Sequence, residues 1–238
     1  MATVLLLRHG RTGANATGGL AGRSPVGLDE QGRRQAAAVG LRLRELPLVA
    51  AVTSPLPRCR QTVAAALPDL PASVDERLTE CGYGDWEGRS LQELVKEPLW
   101  PVVQQHPSGA RFPGEGGESI AAMAARAVAA VREWDARLSA EHGEDAVWLA
   151  CSHGDVIKAV VADALGLHLD LFQRIVIDPG SVSVVSYTAT RPFLLRLGDT
   201  GELRLPARTS SDAAVGGGAG ADPGAGVDPG AAAGAGSR

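Results

Sequence analysis

The chain has 238 residues, of which 45% are hydrophobic and 21% are charged, and its formal net charge is −4. This composition is ordinary for a globular protein with one substantial core, and it indicates no general surface for nucleic acid or membranes. No stretch approaches the roughly 20 apolar residues of a membrane span. We expect no secretory leader, because Met1-Ala2-Thr3 leads directly into the first predicted strand. A cytoplasmic protein is therefore expected.

Strands and helices alternate along the chain, which predicts an α/β sheet covered on both faces. The strands are predicted at 4–7, 48–53, 73–75, 146–152, 175–177, 182–187 and 193–197. The helices are predicted at 29–46, 58–67, 118–141 and 155–165. Short helices interrupted by Pro98 and Pro101 are expected between residues 90 and 106. Loops are predicted at 15–27, 80–89 and 110–117.

The chain changes character after Leu205. Between Thr209 and Arg238, nine of the 30 residues are Gly and nine are Ala, and none is aromatic. Such a stretch cannot bury enough apolar surface to offset the entropy lost when it becomes ordered. We therefore expect a single folded domain over residues 1–205, followed by a disordered Gly/Ala-rich tail over 206–238.

Two apolar runs end in similar short sequences. Val4 to Leu7 is followed by Arg8-His9-Gly10, and the run that begins at Val147 is followed by Ser152-His153-Gly154. Buried strands deliver the residues that follow them to the carboxyl edge of a sheet, where open α/β sheets bind ligands. Gly10 is expected to allow a sharp turn through backbone angles closed to other residues. Both histidines are therefore predicted to lie in one site.

Four blocks of residues resemble, in the right order, the signature of the histidine phosphatase superfamily in its phosphoglycerate-mutase-like branch. They are Arg8-His9-Gly10 with Thr12 and Asn15, Ser54-Pro55-Leu56 with Arg58, Gln61 and Thr62, Glu80 ahead of Gly84-Asp85-Trp86-Glu87-Gly88, and Ser152-His153-Gly154. The resemblance implies a three-layer α/β/α sandwich with a mostly parallel central sheet. One position departs from the family, because the residue after Gly10, often Glu there, is Arg11.

The resemblance implies a phosphoric monoester hydrolase that acts on a small phosphorylated metabolite through a phosphohistidine intermediate. His9 would be the nucleophile, Glu80 the proton donor and acceptor, and His153 would stabilise charge on the phosphoryl oxygens. Arg8 and Arg58 would complete the catalytic set, since their planar guanidinium groups match phosphate oxygens. Besides Arg8, Arg58 and His153, the expected substrate contacts are Gly10, Asn15, Arg23, Ser54 and Gly154.

These roles carry two chemical requirements. The attacking nitrogen of His9 must lack a proton, which an imidazole with an unperturbed pKa of about 6.5 permits near neutral pH. The other ring nitrogen should therefore donate to a backbone carbonyl. Glu80 must hold a proton for the leaving alkoxide, because arginine releases none at working pH, so its pKa should be raised.

Other functions stay open. A mutase would share the first half-reaction and return the phosphoryl group to another hydroxyl, and the short Pro-interrupted region 91–118, which caps the site in the family, favours a phosphatase only modestly. A binding protein on a dead scaffold is disfavoured because all five catalytic groups are present. No metal or other cofactor is expected, since two arginines would repel a divalent cation. The strands after Asp178 offer an edge for a homodimer.

The three cysteines allow two interpretations. Cys59, Cys81 and Cys151 cannot all pair with one another, and their spacing matches no zinc site. We expect reduced and partly buried thiols that act as small apolar residues. Each one nevertheless lies beside a predicted site residue in the sequence, so inhibition by oxidation is the alternative.

Overall fold

The computed structural model describes residues 2–201, so the end of the predicted domain at 205 and the predicted tail over 206–238 lie outside the described residues. Within the described part there are six strands: β1 (Thr3–Arg8), β2 (Leu48–Thr53), β3 (Ala72–Val74), β4 (Val147–Ser152), β5 (Val182–Ser186) and β6 (Phe193–Asp199). They form one sheet in the order β3-β2-β4-β1-β5-β6. The first four are mutually parallel, and β5 and β6 are antiparallel to their neighbours, so the mostly parallel sheet is confirmed.

Helices cover both faces of this sheet. They are α1 (Gly13–Thr17), α2 (Glu30–Leu43), α3 (Pro57–Ala66), α4 (Leu91–Leu94), α5 (Trp100–Gln105), α6 (Ile120–His142) and α7 (Gly154–Ala164). Short 3-10 helices lie at Glu76–Leu78, Gly84–Trp86, Pro107–Gly109 and Leu169–Arg174. None of the helices within residues 2–201 is long and apolar enough to cross a membrane.

The sheet separates two hydrophobic cores, because successive side chains of a strand point to opposite faces. In β1, Leu5 and Leu7 pack into the core that includes residues of α2 and α3. Val4 and Leu6 pack into the larger core on the side of α6 and α7. The three-layer α/β/α sandwich predicted from the sequence is therefore confirmed.

Three predictions of local structure are wrong. Residues 175–177 do not join the sheet, and the Ile177 carbonyl instead accepts a hydrogen bond from Nη1 of Arg8 at 2.6 Å. Leu46 lies beyond the end of α2, where Pro47 cannot continue a helix. Part of the loop predicted from residue 15 belongs to α1, whose first turn is capped by the Thr12 side chain.

The cap region also differs in one respect from the prediction. Two short helices, α4 and α5, lie between residues 90 and 106 as expected. Pro101 does not interrupt a helix, however, because it lies in the first turn of α5, where no backbone N–H is needed for the helical ladder. The rings of Trp86 and Trp100 stack with their centroids 6.2 Å apart, which joins α5 to the segment after Glu80.

Gly10 is required for a different reason from the one predicted. Its φ lies outside the left-handed region, but a Cβ at Gly10 would collide with the main chain of Gly32, whose carbonyl carbon would be 2.9 Å away. A Cβ at Gly32 would in turn lie 2.8 Å from the backbone nitrogen of Arg11. Arg11, the departure from the family signature, pairs with Asp29 at 2.9 Å. The main chain of the loop after β1 therefore packs directly against the main chain at the start of α2. This contact fixes the position of His9.

A Gly32→Ala variant should lower the free energy of unfolding by about 1–3 kcal/mol, because the added methyl group overpacks this contact. Helix propensity alone would predict the opposite change, a gain in the free energy of unfolding, because Ala is favoured over Gly in a helix. Urea unfolding followed by circular dichroism measures it. Gly13→Ala is the matched control, since a Cβ there would meet nothing within 4 Å. Equal stability of the two variants would contradict the close approach.

Candidate active site

The two predicted histidines meet at the carboxyl edge of the sheet. His9 follows β1 and His153 follows β4, and these strands are parallel neighbours in which Arg8 lies opposite Ser152. The ring centroids of the histidines are 5.2 Å apart, with 61° between the ring planes. Both side chains are buried. The structure thus brings together the two imidazoles that the strand ends predict.

Hydrogen bonds assign the tautomer of His9. Its Nδ1 lies 2.7 Å from the carbonyl oxygen of Gly10, which can only accept, so Nδ1 carries the proton. The Nε of Arg58, which can only donate, lies 3.2 Å from Nε2 of His9. Nε2 is therefore unprotonated. This is the arrangement that a nucleophilic histidine requires.

Both histidines are neutral near pH 7. Burial lowers the pKa of His9 well below its usual value, and the positive charges of Arg58 and Arg8 lower it further, while the hydrogen bond to Gly10 opposes them. Burial likewise lowers the pKa of His153 well below its usual value, with Arg58 as the largest charge contribution. The two rings therefore lie beside two permanent cations without adding positive charge of their own.

Arg8 and Arg58 are buried cations on the wall of one pocket with His9. Arg58 lies in the first turn of α3, and besides its contact with His9 it donates to the carbonyls of Gly22 and Ser24, at 2.6 and 3.0 Å. A guanidinium has five N–H donors, so two are left after these three contacts. Together the arginines supply the positive charge that a phosphate dianion needs.

Glu80 is a buried carboxyl group on the same wall, with 4% of its surface exposed. Burial, reinforced by the negative charge of Asp155, raises its pKa to about 7, although the Cys81 N–H, Arg58 and Arg8 oppose the change. Its Oε1 accepts a hydrogen bond from the Cys81 N–H at 3.0 Å. A carboxyl group with this pKa can both donate and accept a proton near neutral pH.

His153 and Ser54 contact each other beside His9. Nε2 of His153 lies 2.8 Å from Oγ of Ser54 and 3.5 Å from Sγ of Cys59. Neither His153 nor Ser54 is among the residues that line the pocket. The structure therefore places Ser54 against the His153 ring, and contacts of either side chain with substrate stay predictions.

The pocket wall consists of Arg8, His9, Thr12, Asn15, Arg58, Glu80, Tyr83 and residues 19–22. The amide oxygen of Asn15 accepts hydrogen bonds from the Thr12 N–H at 3.1 Å and the Thr12 hydroxyl at 2.9 Å. This leaves its NH₂ group as the donor for a ligand.

The two glycines predicted to contact substrate do not line the pocket. The N–H of Gly10 donates to Oγ1 of Thr62 at 3.0 Å, and Gly154 is buried as the first residue of α7.

Arg23 and Arg126 hold the Glu80 segment from outside the pocket. The Glu80 carbonyl accepts hydrogen bonds from Nε of Arg23 at 3.2 Å and Nη2 of Arg126 at 3.1 Å. Both arginines also pair with Glu118, at 3.0 and 2.8 Å. Arg23 lines a separate outer cavity of about 580 Å³, together with Arg126 and Leu56. Its predicted contact with the outer part of a substrate would therefore be made from this cavity.

The three cysteines are free, as predicted, and they are fully rather than partly buried. Burial raises the pKa of Cys81 and of Cys151 above the usual thiol value. Oxidants react with the thiolate, which burial disfavours. The structure therefore supports structural thiols rather than an oxidation switch.

Sequence reasoning missed three buried polar residues beside the site. The hydroxyl of Tyr83 donates to Oδ2 of Asp155 at 2.8 Å, and Nζ of Lys158 lies 3.4 Å from Oδ1 of the same carboxylate. Asp155 directly follows the Ser152-His153-Gly154 block, and Lys158 follows it at helical spacing. The position of Asp155 and Lys158 directly after this block could have suggested a role in the site. Their spacing alone, however, does not distinguish a buried ion pair from an exposed one.

Comparison with known proteins decides the family. The model of the histidine phosphatase superfamily, branch 1, matches residues 4–200. The chain belongs to this superfamily. It is 34% identical over 191 residues to "Probable phosphoglycerate mutase GpmB" of Erwinia tasmaniensis. The alignment covers 79% of this chain and 86% of the relative.

Phosphatases of the superfamily are equally similar. The chain is 33% identical over 177 residues to glucosyl-3-phosphoglycerate phosphatase of Mycolicibacterium vanbaalenii, with 70% of this chain and 76% of the relative covered. Among solved structures, a mycobacterial glucosyl-3-phosphoglycerate phosphatase in complex with VO3 aligns with a TM-score of 0.72 at 27% identity, covering 82% of this chain and 98% of that one. This protein is thus an enzyme of the phosphatase or mutase type.

Proposed function

We propose that this protein hydrolyses phosphate monoesters of small metabolites through a phosphohistidine on His9, without a metal. One observation carries the proposal: an unprotonated Nε2 of His9 shares a pocket with a protonatable Glu80 and two buried arginines. The relatives named as phosphatases support the same reaction class.

In the first step, the phosphate of the substrate binds Arg8, Arg58 and the NH₂ group of Asn15. Nε2 of His9 attacks phosphorus, and the bond between phosphorus and the ester oxygen breaks. Glu80 donates its proton to the departing oxygen, so the product leaves as an alcohol. The hydrogen bond from Nδ1 to Gly10 stabilises the positive charge that develops on the ring.

In the second step, the Glu80 carboxylate accepts a proton from water as the water oxygen attacks the phosphohistidine. The bond between phosphorus and Nε2 breaks, inorganic phosphate forms, and both His9 and Glu80 return to their initial states. The predicted role of His153 is to stabilise the charge on the phosphoryl oxygens. Its ring is held by Ser54 with its centroid 5.2 Å from that of His9, which supports a position near the phosphoryl group.

A phosphoglycerate-type mutase is the second candidate, because one similar relative bears that name and the first step would be identical. The region 91–118 contains only short helices, among them α4 and α5, before α6 begins, which favours hydrolysis modestly. We further propose a cytoplasmic enzyme whose partner is a small phosphorylated substrate, not nucleic acid or membrane. Free thiols fit a reducing compartment, and β6, an edge strand within the described sheet, offers a contact for a homodimer.

The test is turnover of an aryl phosphate, phosphoserine and 3-phosphoglycerate by the wild type in the presence of EDTA. We expect release of inorganic phosphate at the same rate with and without the chelator. Interconversion of phosphoglycerate isomers without phosphate release would instead identify a mutase. Loss of activity in EDTA would contradict the metal-free reaction, and no turnover of any phosphomonoester would favour a non-catalytic binding protein.

A further inference from the structure

Helix α7 contains a buried ion pair that the steps above do not use. Asp155 and Lys158 are each 1% exposed, and Nζ of Lys158 lies 3.4 Å from Oδ1 of Asp155. The same Nζ donates to Oε1 of Gln173 at 3.1 Å and lies 5.5 Å from the ring centroid of Phe172. Burying two charges is costly, and apolar residues of similar volume often stabilise a fold at least as well. Stability alone therefore does not account for this pair.

The pair reaches the catalytic pocket through Tyr83. The hydroxyl of Tyr83 donates to Oδ2 of Asp155 at 2.8 Å, and the Tyr83 side chain lines the pocket that contains Glu80. The Tyr83 ring packs edge-on against Phe112, with the centroids 4.8 Å apart. Asp155 therefore holds the hydroxyl end of a side chain that forms part of the pocket wall, three residues after the proposed acid.

Within residues 2–201, charged groups face Glu80 from four strands and helices and from the loop that carries Arg23, whose Nε donates to the Glu80 carbonyl. Arg8 at the end of β1, Arg58 in α3 and Arg126 in α6 are cations and favour its ionised form. Asp155 in α7 is the carboxylate that opposes them. The neighbouring Cys81 and Tyr83 are neutral, since burial raises the pKa of each. Burial is the largest cause of the raised pKa of Glu80, and a negative charge at position 155 adds to it against the arginines needed for phosphate binding.

We propose that Asp155 is a positioning residue for the catalytic acid: its buried carboxylate fixes Tyr83 in the pocket wall and adds negative charge beside the pocket that holds Glu80, and Lys158 is the counter-charge that permits a carboxylate at this depth. The inference rests on the proposed function of Glu80. In this proposal, the ion pair in α7 helps Glu80 to keep its proton although the arginines that bind phosphate lie close to it.

The decisive variant is Asp155→Asn/Lys158→Met, which removes both charges and leaves neither partner buried alone. Glu80 is active in the first step when protonated, so kcat/KM for an alkyl phosphate falls as pH rises through its pKa. Asp155 acts on the pKa of Glu80 and its counter-ion Lys158 is not among the main causes, so removal of both charges lowers that pKa. Loss of the Lys158 cation offsets part of the change, and we expect the fall to begin up to roughly one pH unit lower than in the wild type. Removal of the exposed pair Arg137–Glu141 by Arg137→Met/Glu141→Gln is the control and should leave the profile unchanged.

Two further measurements separate the parts of the proposal. Tyr83→Phe keeps the charge of Asp155 but loses the hydroxyl, so KM should rise while the pH profile stays in place. Carbon-13 NMR of labelled Glu carboxyl groups, with Glu80 assigned by Glu80→Gln, follows its titration without any need for turnover and should show the same downward shift in the double variant.

A folded double variant in which both the pH profile and the NMR titration match the wild type would overturn the role of Asp155. If the ion pair is purely structural, its removal should lower the melting temperature and reduce kcat by the same factor at every pH. If the wild type turns over no phosphomonoester, the proposed function fails, and the NMR titration alone then decides whether Asp155 controls the ionisation of Glu80.

Discussion

A His9→Ala variant should lose about 10⁴-fold or more of its kcat/KM for phosphomonoesters, as expected when the nucleophile of a covalent mechanism is removed. The variant lacks the unprotonated Nε2 on which the phosphoryl group would be carried, and His153 cannot replace it, because Nε2 of His153 is engaged with Oγ of Ser54 at 2.8 Å. Steady-state rates with an aryl phosphate measure the loss. In acid- and base-quenched reactions with labelled substrate, the wild type should carry acid-labile phosphate, and the variant should carry none.

His142→Ala is the matched control, since His142 lies at the exposed carboxyl end of α6. It should keep the wild-type rate and the wild-type level of labelled phosphate. Full activity of His9→Ala, or equal labelling of the two variants, would show that the nucleophile has been assigned to the wrong residue.

Replacing Glu80 with Gln should reduce kcat for an alkyl phosphate by about 10² to 10⁴-fold, the usual contribution of general acid–base catalysis. The burial that raises the pKa of Glu80 to about 7 gives the wild type a protonated acid below that pH and a carboxylate above it. The wild-type kcat/KM for alkyl esters should therefore fall above about pH 7, and this limb should be absent from the variant.

Activated aryl esters distinguish the two halves of the reaction in the same variant. Their leaving group needs little protonation, so phosphorylation of His9 should stay fast, while hydrolysis of phosphohistidine slows because the base is missing. Rapid mixing should show a burst of phenol followed by slow turnover. Glu30→Gln, an exposed carboxyl on α2, should behave as wild type. Equal losses on alkyl and aryl esters, without a burst, would contradict the role of Glu80 as acid.

The ends of the strands could be predicted from sequence because local hydrophobic patterns determine them. An apolar run followed by Arg8-His9-Gly10, and a second run followed by His153, places both imidazoles at one sheet edge once the strands are parallel. The protonated Nδ1 of His9 and the raised pKa of Glu80 follow from the chemistry that the family resemblance implies. Their partners, the Gly10 carbonyl and the Asp155 charge, depend on packing.

The remaining details depend on distances that no local pattern encodes. The N–H of Gly10 was expected to face phosphate but donates to Thr62, because α3 packs against the loop after β1. Residues 175–177 form a short apolar run typical of a strand, yet they stay outside the sheet and the Ile177 carbonyl accepts a hydrogen bond from Arg8. Asp155 and Lys158 resemble an exposed helical pair in sequence, and only the elements packed around α7 bury them.

The hydrogen bonds of Arg58 to Gly22 and Ser24 have a consequence for engineering. A loop that lines a pocket is an obvious target for exchange when new substrates are sought. Here two carbonyls of that loop orient the guanidinium that also touches His9, so the loop is part of the reaction centre as well as of its rim. Transplanted loops must reproduce those two carbonyl positions, whatever side chains they carry. Libraries that vary side chains on the existing backbone retain this constraint automatically.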